Sequence, residues 1–161
     1  MRSRITAAII AGVIAGVPMG VAMQMMSAPT PEGGSVPMMA MVAKVVRSES
    51  LAVAWLYHLF NSAVIGGFFG WWFGSRVHGA SGGLAWGALH GLIWWVLGGL
   101  VLMPFFLGMP ALAPLTMPMM RGVAMGSLVG HLMYGLVLGG AFAWLFRGPS
   151  RVPTPLQAGR A

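Results

Sequence analysis

The sequence predicts an all-α fold: a polytopic membrane protein with four transmembrane helices arranged as two repeated hairpins. Three observations predict it. Of the 161 residues, 58% are hydrophobic and only 7% charged, against roughly 25% charged in soluble domains. Four long stretches carry no charge at all. The second half of the chain also repeats features of the first. A soluble chain of this length has too little interior to hide so much apolar surface, so the bilayer is its solvent.

The charge-free runs place the spans. A spanning helix needs about 20 apolar residues. The runs give cores at 5–26, 51–73, 83–103 and 123–146, one transmembrane domain over 1–146. Segment 104–120 holds Pro104, Pro110, Pro114 and Pro118. It reads as a loop or re-entrant stretch at the interface, because proline brings no amide donor. The loop 27–50 opens on the polar piece Ala28-Pro29-Thr30-Pro31-Glu32-Gly33-Gly34. After Pro37 it becomes helix-compatible, either extending the second span or lying along the membrane surface. The tail 147–161, with Pro149, Pro153 and Pro155, is expected to be disordered and cytoplasmic. The first segment also has the outline of a signal peptide. Arg2 and Arg4 precede an apolar run, and Gly20-Val21-Ala22 could serve as a cleavage site. Its counterpart in the third span favours a retained helix.

The net charge of +7 comes from nine Lys/Arg against Glu32 and Glu49. The bases are scattered between apolar stretches and form no stripe, which excludes a nucleic-acid partner. They read as topology determinants. With four spans both termini share a side, together with Arg2, Arg4, Arg76, Arg147, Arg151 and Arg160. The other side holds Lys44, Arg47 and Arg121. The bias places both termini in the cytoplasm. Trp71, Trp72, Trp86 and Trp144 fall near that same interface, whereas Trp94 and Trp95 sit mid-span.

The repeat is detailed. Pro37-Met38-Met39 precedes the second span and Pro118-Met119-Met120 the fourth. Each of these spans carries a histidine, His58 or His131, followed three residues on by Asn61 or Tyr134. Glycine pairs then follow, Gly66-Gly67 or Gly139-Gly140. In the third span His90 leads at the same spacing to Gly98-Gly99. Glycines also recur every four residues, at Gly12/Gly16/Gly20, Gly83/Gly87/Gly91 and Gly122/Gly126/Gly130. Such ladders let helix backbones approach closely, and a bulky residue at Gly16 or Gly126 is expected to pry the bundle open.

Because the spans alternate in direction, Gly98-Gly99 reaches the depth of His58 and His131. His90 reaches the depth of Gly66-Gly67 and Gly139-Gly140. The two levels lie roughly 12 Å apart at 1.5 Å per residue. The imidazoles then have three readings. They hydrogen-bond across helices, with Asn61, Tyr134, Ser62 or Ser127 as partners. His58 and His131 form the axial pair of a b-type haem. Or they join a soft-metal path, since the fifteen methionines cluster at Met19/Met23/Met25/Met26, Met38/Met39/Met41 and Met117/Met119/Met120. Thioether with imidazole suits Cu(I). No span holds an acid, which excludes Mg²⁺, Ca²⁺ and a carboxylate proton relay.

Catalysis finds no footing in the residues. There are no paired carboxylates for acid–base work. Ser127 and His131 share a helix face without an acid to orient the ring. The run from His78 to Gly83 lacks the lysine of a phosphate loop. The absence of cysteine excludes disulfides and thiolate metal sites.

The string His131-Leu-Met-Tyr-Gly-Leu-Val-Leu-Gly-Gly, with Gly87-Ala-Leu-His-Gly-Leu and the exit Val101-Leu-Met-Pro, resembles small bacterial inner-membrane proteins. These are the YagU-like proteins and similar families with a domain of unknown function. The resemblance implies a helical bundle in the bacterial inner membrane and carries over no functional residues. The expectation is a non-enzymatic protein of the lipid bilayer, acting as a homo-oligomer or as an accessory subunit of a membrane complex. Two alternatives stand beside it. One is a haem b or copper handler using His58 and His131, with His90, Asn61, Tyr134, Met38, Met39, Met119 and Met120 as accessories. The other is a small transporter.

Overall fold

The computed structural model describes residues 3–30 and 33–146. The first helix, α1, spans Arg4–Met25 and is capped by Ser3, whose Oγ accepts from the Thr6 amide. An antiparallel ribbon follows, β1 Ser27–Pro29 and β2 Ser35–Pro37. Next come α2 Met38–Val45, α3 Leu51–Trp72 and α4 Gly79–Trp94. The third span then continues as a π-helix, Trp95–Leu102, and ends in α5, Met103–Phe106. A short α6, Ala113–Thr116, and a 3-10 turn, Pro118–Met120, lead into α7, Arg121–Leu145. Four helical stretches are long and apolar enough to cross a membrane: Arg4–Met25, Leu51–Trp72, Gly79–Phe106 and Pro118–Leu145.

Several local expectations need amending. Within the loop after α1, Ser27–Pro29 and Ser35–Pro37 pair as a short ribbon. The helix after Pro37 is separate from α3, because Arg47 turns the backbone into the left-handed region (φ 56°). The third span runs through Pro104 to Phe106 instead of stopping at 103. Pro104 offers no amide to the Leu100 carbonyl one turn back. That carbonyl is satisfied from outside the helix: the Leu112 amide folds back and donates to it at 2.7 Å. Inside a bilayer an unpaired carbonyl costs several kcal/mol (roughly, from transfer data), so this bond fixes where the 107–112 segment must return. Pro118 opens a 3-10 turn, a position that needs no amide, and so lengthens the fourth span toward its start. The predicted tail 147–161 lies outside the described residues.

Small residues face inward and large apolar ones outward. The buried side of α3 is Ala54, His58, Ser62, Gly66, Phe69 and Gly70. Its exposed side includes Leu56 at 71% and Phe60 at 64%. Water would penalise that arrangement, whereas lipid tails are as apolar as leucine.

Backbones touch at two helix pairs. In α1–α3, Gly12 lies against Gly66 and the Ser62 carbonyl, Gly16 against the Ser62 side chain, and Gly70 against Ala8. In α4–α7, Gly83 meets Gly139, Gly87 meets Gly135, and Gly91 meets the His131 carbonyl. Gly67 and Gly140 face only side chains, Ile9 and Leu84. The third glycine ladder does something else. A side chain begun at Gly122 would meet nothing within 4 Å, one at Gly126 would run into Met26, and one at Gly130 would begin 3.8 Å from Met19. These glycines form no helix seam. Gly126 and Gly130 instead leave space that methionine side chains enter.

Candidate functional site

The three intramembrane histidines do different things, and hydrogen-bond geometry distinguishes them. A carbonyl can only accept, so a ring nitrogen bonded to one carries the proton. His58 Nε2–H donates to the Gly16 carbonyl at 2.8 Å, across the α1–α3 seam. Its ring stands edge-on to Trp55, and both pack over Gly20. His90 Nε2–H donates to the Ile65 carbonyl at 3.1 Å and ties α4 to α3. An aromatic wall surrounds that ring, with Phe69 at 5.3 Å, Phe73 at 5.8 Å and Trp94 at 6.2 Å. These two imidazoles pin helices together.

His131 is arranged the other way round. Its Nδ1–H donates back to the Ser127 carbonyl of its own helix at 2.8 Å. Nδ1 is the nitrogen nearer the backbone, so it alone reaches a carbonyl one turn back. In the neutral ring Nε2 then keeps its lone pair. Nε2 lies 3.8 Å from where a side chain on Gly98 would begin, and the ring edge 3.5 Å from the same point on Gly99. The glycine pair of the third span is thus the bed on which the His131 ring rests.

The bed itself is π-helical. The Met103 amide bonds to the Gly98 carbonyl, one residue further back than in an α-helix. Trp95 at the head of this segment donates Nε1–H to both Ser127 Oγ (3.1 Å) and the Ala124 carbonyl (3.2 Å). Ser127 Oγ donates in turn to Ala124 (2.9 Å). The indole that suited no interfacial belt is therefore a cross-brace holding the start of α7 against the π segment. π-helical turns recur at functional sites.

Between these elements lies a chamber of about 80 Å³ that includes His131, Ser127, Gly99, Gly126 and Gly130 in its wall. Its larger side chains are mainly methionine. Met19 and Met23 come from α1, Met26 from its C-terminal cap, and Met38 and Met41 from α2. Met103, Met109 and Met120 complete the set from the far hairpin. Leu107 and Val123 are the only branched aliphatic residues in the wall. Ala28, Met38, Met41, Leu107, Met109 and Pro114, from the connections after the first and third spans, contribute to this wall.

The other candidate residues are spread around the fold. Met39 is fully buried in the core, while Met119 is 58% exposed. Neither belongs to the chamber wall. Tyr134 donates to the Ser62 carbonyl at 2.7 Å, between α7 and α3. The polar neighbour that serves His58 is Ser62, whose Oγ donates to the His58 carbonyl at 2.8 Å; Asn61 is half-buried beside it. The sequence assigns no site role to Met103, Met109 or Trp95. The signal that could have found Met103 is its place beside Pro104, where the freed Leu100 carbonyl draws the following loop back over the bundle.

A haem does not fit this arrangement. The His58 nitrogen is committed to Gly16, and small-molecule pockets run to roughly 300–1,000 Å³, several times the chamber. Among the described residues no three of His, Cys, Asp and Glu gather at one point. No family model matches the chain, and neither does any curated protein or solved structure.

Proposed function

We propose that the chain is a non-enzymatic multi-pass protein of the bacterial inner membrane, with both termini cytoplasmic. In this reading it is a binding protein that holds a small guest in the methionine-walled chamber, facing the non-cytoplasmic side. It acts as a homo-oligomer or as an accessory subunit, its broad apolar flanks meeting lipid or partner helices. The observation that carries the reading is the chamber itself. Methionines from both hairpins line it together with a single imidazole whose Nε2 makes no hydrogen bond among the described residues.

The two hairpins are read as related copies, each closed by a glycine zipper. What supports this is equivalence of depth. Tyr134 bonds to Ser62, 72 residues earlier, and Phe142 packs on Phe69 at 5.4 Å. These separations equal that of His58 from His131 to within one residue.

The test is ligand-induced stabilisation of untagged protein in mild detergent. A panel of metal cations, haem and small apolar molecules is compared on wild type and on Gly130→Leu, which fills the chamber from a wall position where an added Cβ meets only the flexible Met19 side chain, at an ordinary contact distance of 3.8 Å. A guest present at 100 times its Kd should stabilise wild type by about 2.7 kcal/mol and the filled variant hardly at all. No stabilisation by any member, or equal stabilisation of both proteins, retires the reading. A carboxy-terminal green fluorescent fusion that stays dark while an alkaline phosphatase fusion is active would overturn the orientation.

A further inference from the structure

The geometry points to a soft monovalent cation, Cu(I) or its redox-inert analogue Ag(I), as the guest of the chamber, held by methionine thioethers and His131 Nε2. This rests on the chamber being a binding site, and it names the chemistry.

Three features of the wall select that chemistry. The first is the choice of side chain. Methionine is a common gap filler, but leucine fills gaps too. Elsewhere the fold uses leucine, valine, isoleucine and phenylalanine freely on its apolar faces. Here five separate pieces of chain each bring methionine to one small space. Thioether sulfur is a soft, neutral donor, and it prefers Cu(I) to hard or borderline cations.

The second feature is the imidazole. Its Nδ1–H is spent on the Ser127 carbonyl, and the Trp95 brace holds Ser127 in place. Nε2 makes no hydrogen bond among the described residues and the ring lines the chamber, so its lone pair is open to a partner. A cation supplies one, and the carbonyl bond behind the ring is the usual device for orienting a ligating histidine.

The third feature is charge. No carboxylate is among the wall residues. Thioethers and neutral imidazole do not offset a cation's charge. A dication there would be buried uncompensated, and the desolvation cost rises steeply with charge. A monovalent ion that gains much of its bonding from polarisable sulfur suits the site better. At about 80 Å³ the chamber has room for an ion.

The experiment is anaerobic titration of untagged full-length protein with Cu(I) against a chromogenic chelator, repeated with Ag(I). Wild type should take one ion per chain. Met23→Leu, Met120→Leu and His131→Leu should each weaken binding by about 100-fold or more, since even losing a supporting residue around a metal costs 10–100-fold. Met→Leu nearly conserves volume, so the two methionine variants should unfold like wild type. Met25→Leu, at a position 82% exposed and outside the wall, should bind normally. X-ray absorption of the loaded protein should give a sulfur-dominated shell with one nitrogen. Failure of wild type to take up either ion overturns the inference, and so does uptake that survives all three wall variants. If another guest still stabilises wild type but not Gly130→Leu, only the choice of cation falls. If nothing does, the binding reading falls with it.

Discussion

Replacing Gly87 with alanine should cost the bundle about 2 kcal/mol, although alanine is the better helix former. The added methyl would sit 3.0 Å from the Gly135 carbonyl carbon, 3.1 Å from the Gly139 Cα, and closer still to the Gly135 oxygen. All three atoms are backbone, so no rotamer change relieves the clash and α4 must move away from α7. Overpacking costs about 1–3 kcal/mol, and a backbone obstacle belongs at the upper end. Alanine returns about 1 kcal/mol of helix propensity. Gly82, on the same helix, is the control, because nothing approaches its would-be methyl closer than 4.0 Å. Gly82→Ala should therefore gain up to about 1 kcal/mol. The two variants should differ by about 3 kcal/mol, a wide gap for substitutions five residues apart. Titration with SDS in mixed micelles, followed by tryptophan fluorescence, measures it. Equal midpoints for the two variants would refute backbone contact between α4 and α7.

Other perturbations separate the structural groups from the chamber. Tyr134→Phe should lose about 1 kcal/mol, the range of a hydrogen bond between membrane helices, in the same titration. Ser62→Ala should leave that bond intact because its acceptor is the Ser62 carbonyl; a Ser62→Ala, Tyr134→Phe double variant no worse than Ser62→Ala alone would contradict the assignment. His58→Ala should destabilise by about 1–2 kcal/mol through the lost Gly16 bond and the gap left behind, with guest affinity unchanged. A large loss of affinity at unchanged stability would instead return His58 to the site. Pro104→Ala gives the Leu100 carbonyl a donor within its own helix. Hydrogen exchange at the Leu112 amide should then speed up, and an unchanged rate would mean that the fold-back bond is not what holds that segment.

Much of the architecture could be read from charge and length, because in lipid those two properties decide almost everything. The four spans follow from charge-free runs. The seams of α1 and α4 follow from Gly12/Gly16/Gly20 and Gly83/Gly87/Gly91. Spacing alone misled at Gly122/Gly126/Gly130. A glycine every fourth residue defines a smooth stripe, but what lies against that stripe depends on a helix elsewhere in the chain. Here α1 and its C-terminal cap present Met19 and Met26 to it. The π-helix was equally hidden. Gly98-Gly99 weakens the α-helix and Pro104 removes a donor, yet the extra residue per turn is held by Trp95 reaching to α7, a tertiary bond with no local signature.

The histidines show why a motif can be legible while its roles are not. His58, His90 and His131 share one spacing to a glycine pair, so each was expected to be large, polar and set against a small surface. Which nitrogen each ring spends depends on register with its neighbour. His58 and His90 face carbonyls of another helix, Gly16 and Ile65, and reach them with the outer nitrogen, Nε2. His131 faces the flat glycines of the π segment, which offer its ring no such bond, so it turns the inner nitrogen to its own helix. One shared spacing therefore goes with two fasteners and one ring whose Nε2 makes no hydrogen bond among the described residues. The methionines acquire a chemical reading only because that ring stands among them. Fill the same wall with leucine, and His131 Nε2 would have no soft neighbours with which to share a cation.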